Sequence, residues 1–182
     1  MRSGFRVSGL LLCSLIFTGC VTTEKEIHLQ FSDMNFLHPH EDSGASCDVK
    51  AALTDKEVLK PPYYLGQVMA RPVYSNDIEA WSRQSLIENL SEFQSSEPRV
   101  LLNLTLKRFS LAQSLSNFTA NVVAVADYEV VGREKVSKVF RGSATHSNML
   151  AAAFEIRSVM RVALNDLAQR IATDIQEVCE KV

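Results

Sequence analysis

The chain has 182 residues, 46% of them hydrophobic, with a formal charge of −2 at neutral pH. One domain is the natural division of such a length, and the apolar fraction suffices for a proper core. The mildly acidic balance argues against a nucleic-acid groove and a polybasic membrane patch.

Met1 to Arg6 carry two arginines and no acid, and Val7 to Phe17 are almost wholly apolar. Small residues follow, ending at Cys20. A charged start, a short apolar run and a small-residue cut describe a secretory signal peptide over residues 1–19. The run is too short for a spanning helix, which needs about 20 apolar residues. Phe17-Thr18-Gly19-Cys20 resembles the lipobox of bacterial lipoproteins, with Phe17 in place of the usual Leu. That resemblance implies acylation of Cys20 and a membrane anchor, since several acyl chains hold where one is marginal. Val21 stands where an inner-membrane retention signal has Asp, so bacterial sorting rules imply the outer membrane, with the chain facing the periplasm.

Four cysteines are present. Cys13 leaves with the leader and Cys20 is lipidated, so Cys47 and Cys179 remain, and in an oxidising compartment two such thiols are expected to pair. Residues 20–46 mix charge, His and Pro without sustained periodicity and read as the lipidated start and a polar tether, although Ile27 to Phe31 alternate over a few residues as a short strand does. His38 and His40 stand beside Glu41 and Asp42, but Pro39 between them and the want of a second cluster make this a solvated loop, with no metal expected. The folded domain is expected over residues 47–182.

Within it, Cys47 to Leu53 forms a possible strand, and Leu65 to Ala70 a second, after the Pro61-Pro62 break. Ser75-Asn76-Asp77 offers a helix cap, with Ile78, Trp81, Leu86, Leu90 and Phe93 on one face and Trp81 as a core anchor. Val100, Leu102, Leu104 and Leu106 alternate with polar residues, the pattern of a strand covered on one side. Phe118 to Val131 and Lys135 to Thr145 follow as strands joined by a turn at Gly132, most economically antiparallel. From Leu150 to Val178, apolar residues including Ile156, Met160, Leu164, Leu167 and Ile171 advance by steps of three and four, predicting a long amphipathic helix. The fold class expected is α+β, a two-layer sandwich in which an antiparallel sheet carries both helices on one face and leaves the other wet.

A lipobox, a tether, then helix, three strands and a long Ala-rich helix is similar to the YajG-type lipoproteins and to the auxiliary lipoproteins of ABC-type transport systems. The likeness rests on Leu86-Ile87-Glu88-Asn89-Leu90, Leu102-Asn103-Leu104-Thr105-Leu106, Lys138 to Ser143 and Ala163 to Ala168. It implies an accessory protein of the bacterial envelope that docks on a protein partner in lipid transport or outer-membrane upkeep. The alternative is a periplasmic module binding lipid or a small molecule in a groove between helices and sheet. No G-x-S-x-G elbow, P-loop or G-x-G-x-x-G run is present, so neither an enzyme nor a cofactor is expected.

Overall fold

The computed structural model describes residues 27–30, 49–53, 61–90, 100–114, 116–130, 134–147 and 153–180. The strands are β1 (Ile27–Leu29), β2 (Val49–Leu53), β3 (Tyr63–Val68), β4 (Arg71–Ser75), β5 (Val100–Ser114), β6 (Asn117–Val130) and β7 (Val136–Ser147). Helix α1 (Ile78–Asn89) follows β4, and α2 (Ala153–Glu180) follows β7.

Alternation is why β5 and β6 are strands. Val100, Leu102, Leu104 and Leu106 are buried on one face of β5, and every second residue of β6 from Phe118 to Tyr128 is buried opposite them. A bulge between Leu106 and Arg108 shifts the phase, after which Phe109 and Leu111 carry on the buried row. Such an extra residue bends the strand and raises its twist. β7 returns antiparallel beside β6 and completes a meander.

The rest of the sheet corrects the expectation of an all-antiparallel one. Its order is β1-β4-β3-β5-β6-β7, with β2 off that path and paired to β5. β1 runs parallel to β4, and both β2 and β3 run parallel to β5, so the sheet is mixed. Parallel pairs need long connections, and here β4 and α1 both lie in the chain between β3 and β5. β1 also lies inside the stretch expected to be tether: Ile27 pairs with Val73, and Leu29 is buried.

Helix α2 lays Ile156, Met160, Ala163, Leu164, Leu167, Ile171 and Ile175 into the core, the stripe expected from its spacing. It packs on β6 and β7 and also touches β1 at the other edge of the sheet, so the sheet curls around it. Contact with β7 is close at Gly142, where a Cβ would stand 2.1 Å from the carbonyl oxygen of Ala163. Helix α1 touches α2 and β2, and its Ile78, Trp81 and Leu86 join the same core. The Ser75 hydroxyl starts this helix. It accepts the Ile78 N–H at 3.0 Å, while Asp77 at the cap position makes no side-chain capping bond. The outward rows of β5, β6 and β7, among them Thr105, Arg108, Val123, Val139 and Arg141, face away from the core, as expected of a wet face.

Candidate functional site: an aromatic row and an open groove beside a strained hairpin

β3 and β4 form a hairpin whose two linking residues, Met69 and Ala70, have φ of 52° and 59°. Positive φ at both positions is the geometry of the two-residue turn that best matches strand twist, usually supplied by Asn-Gly. Neither residue here is Gly or Asn, and an L-residue in the left-handed region costs roughly 1–2 kcal/mol. The Gln113 side-chain carbonyl accepts the Met69 N–H and holds the turn against the end of β5. Met69 itself is 52% exposed.

Behind the tip, the face turned from the core carries a cross-strand aromatic row. His28 on β1 pairs with Tyr74 on β4, which pairs with Tyr64 on β3. The His28 and Tyr74 rings stack with centroids 5.9 Å apart, and the Tyr74 and Tyr64 rings meet tilted at 5.5 Å. Such pairs are worth about 0.5–1.5 kcal/mol beyond their burial, yet Tyr64 remains 54% exposed. Its neighbour Tyr63 points the other way, where its hydroxyl donates to Glu79 of α1 at 2.8 Å.

Between this hairpin and β5 lies an open groove of about 690 Å³, lined by Tyr64, Gly66, Gln67, Ala70, Leu111, Ala112 and Gln113. Gly66 makes it possible. Its φ is +142°, and a Cβ there would stand 2.1 Å from the Leu111 carbonyl oxygen, so only glycine lets β3 approach β5 this closely. The register shift between Tyr64 and Gly66 falls at the same place. The lining offers amide groups, apolar surface and one phenol.

The alternative reading places a groove between helices and sheet. Among the described residues that space holds the buried side chains of a continuous core. Trp81 lies in this core, 5% exposed, as its anchoring role requires. Tyr128, on the buried face of β6, has its phenol pushed well above its ordinary range by burial and by the neighbouring Asp174 carboxylate. Lys138 pairs with that carboxylate and sits 5.7 Å over the Tyr128 ring. This cluster joins β6, β7 and α2.

Cys20 and Cys47 lie outside the described residues, as do His38, His40, Glu41 and Asp42. Cys179 sits in the last turn of α2, half-buried against the core. Among the described residues no group of three His, Cys, Asp or Glu is placed to hold a metal, and no helix is long and apolar enough to cross a membrane. The aromatic row and the groove were missed by sequence reasoning. Their signal was the spacing of Tyr63-Tyr64 and Tyr74, which becomes informative only once the turn at Met69 is known.

No protein family and no curated protein matches the sequence. Protein XCC0632 from Xanthomonas campestris, of the family DUF330, is similar in fold, with a TM-score of 0.51 over 85% of this chain and 94% of its own, at 10% identity. A minor lipoprotein from Acinetobacter baumannii aligns with a TM-score of 0.42 over 79% of this chain and 94% of its own, at 13% identity. The first shows a shared α+β fold, and its low identity carries no residue roles.

Proposed function

We propose that this chain is a non-enzymatic, lipid-anchored lipoprotein of the bacterial envelope, an accessory or docking component in lipid transport or outer-membrane maintenance. The observation that carries the reading is the lipobox-like Phe17-Thr18-Gly19-Cys20 at the end of an apolar run. The described surface supports it: an exposed aromatic row and an open groove suit docking better than catalysis. The YajG-type and transport-auxiliary resemblance belongs to the same proposal, as do outer-membrane delivery and a protein partner. Cys20→Ala is expected to abolish labelling by a palmitate analogue and to release the chain from membranes. Label retained on the Ala variant would defeat the reading, and sedimentation of the native chain wholly with inner-membrane markers would defeat the outer-membrane address.

A disulfide between Cys47 and Cys179 is part of this proposal. It would fix the end of α2 to the start of the chain leading into β2, with Val49 only two residues past Cys47. Peptide mapping of non-reduced protein is expected to recover the two cysteines in one linked fragment. Recovery of either as a free thiol would refute the bridge.

The second reading, a module that binds lipid or a small molecule, is carried by the groove at Gly66 rather than by the helix–sheet interface.

A further inference from the structure

We propose that the β3–β4 hairpin tip, Met69–Ala70, and the His28–Tyr74–Tyr64 row behind it lie against the phospholipid surface that holds Cys20. The inference rests on the proposed acylation of Cys20 and goes beyond it by saying which part of the fold faces the bilayer.

Chain length comes first. Six residues separate Cys20 from Ile27, where the sheet begins. A fully extended chain spans at most about 3.6 Å per residue, so the start of β1 stands within roughly 25 Å of the anchor. The tether is therefore far shorter than residues 20–46 would allow.

Strand direction comes second. β1 runs parallel to β4, with Ile27 opposite Val73 and His28 opposite Tyr74. Since β4 leaves the hairpin tip at Arg71, the chain coming from Cys20 enters the sheet at that same end. A short tether entering there brings the tip, and not the far ends of β5 and β6 near Val100 and Val130, toward the membrane.

Surface chemistry comes third. Tyr64 and Met69 are each more than half exposed, and both belong among the large apolar side chains that the fold leaves uncovered. Tyrosine suits the headgroup level, where a ring meets acyl chains and a hydroxyl meets water. Methionine is flexible and apolar and adapts to irregular surroundings. Arg71, exposed beside the tip, can lay its stem along the surface and reach phosphate oxygens. The left-handed backbone at Met69 and Ala70 is strain of a kind that gathers at binding surfaces. Here it keeps a side chain with a large apolar reach at the extreme end of the hairpin.

The test uses the full-length acylated chain in vesicles of phosphatidylethanolamine and phosphatidylglycerol. The photo-crosslinking residue p-benzoylphenylalanine replaces Met69, Tyr64 or Val139, the last lying on the outer face of β7. Intact mass reports acylation and circular dichroism reports folding. Phospholipid adducts are expected severalfold more often at positions 69 and 64 than at 139. Equal yields at all three positions of acylated, folded protein would overturn the proposal alone. So would adducts at 64 and 69 formed chiefly with a second copy of the chain rather than with lipid. An intact mass without acyl chains would overturn the anchor, and this inference with it. Should the left-handed position 69 reject the bulky residue, position 64, which is not in the turn, decides the matter.

Discussion

Tyr128 shows how one side chain ties the fold to pH. It is 2% exposed on β6, with the Asp174 carboxylate and the Lys138 ammonium as its charged neighbours. Burial, and then Asp174, raise its phenol far above the usual value near 10. A group whose pKa is raised on folding gives stability that is complete below the unfolded pKa and is lost as pH climbs past it. Above pH 10, therefore, the unfolded chain sheds a proton that the folded chain keeps. The native protein is expected to lose up to about 1.4 kcal/mol more stability per pH unit there than a Tyr128→Phe variant does. Urea midpoints of the two proteins between pH 9 and 11 measure this, and parallel curves would show that the phenol is in fact free to ionise.

Elements hold or fail at their closest contacts, and for α2 that contact is Gly142. The Ala163 carbonyl oxygen and the Leu167 Cβ leave no room for a side chain on β7 at this point. Gly142→Ala forces the helix off the sheet and is expected to cost about 1–3 kcal/mol, the usual penalty for overpacking. An unchanged thermal midpoint would mean that α2 floats on the sheet rather than being seated in it. The helix itself was legible in the sequence, because its apolar stripe persists from Ile156 to Ile175. So were β6 and the first half of β5, where alternation is unbroken. The second half of β5 was hidden by the bulge at Leu106, which changes the phase of the pattern. The β3–β4 hairpin was hidden for a different reason. Its turn uses Met69 and Ala70, residues that carry no turn signal, so the sequence pattern shows one strand where two exist. The groove at Gly66 inherits that blindness, being made by the approach of two strands that have no local link. Parallel pairing of β1 and β2 leaves no mark in either segment, because each partner lies far along the chain.

At the scale of the whole molecule, the sheet order places β1 and β7 at opposite edges, yet α2 touches both. The Arg157 guanidinium donates to the Gln30 carbonyl at 3.3 Å, just past β1, while Asp166 accepts the Ser143 N–H of β7 at 2.9 Å. One helix thus closes a curled sheet across its two ends, and the buried residues of both halves form a single cluster. Had α2 served only the meander β5-β6-β7, the β1-β4-β3 end would open on its own. Regions with few buried contacts open at lower free energy than the core, and β1 is only three residues long. The shared helix argues against separate units: Leu29, Val73 and Ile156 are as deeply buried as Val122 and Leu167. Native-state hydrogen exchange is expected to give the slow amides of β3 and β4 the same opening free energy as those of β5 and β6. The Gly142→Ala variant is then expected to lower both sets equally, although the substituted residue lies on β7 and meets only α2. A fall confined to the meander would show two independently stable halves. It would also free the aromatic row and hairpin from the rest of the fold, leaving them too loosely held to present a fixed surface to a membrane.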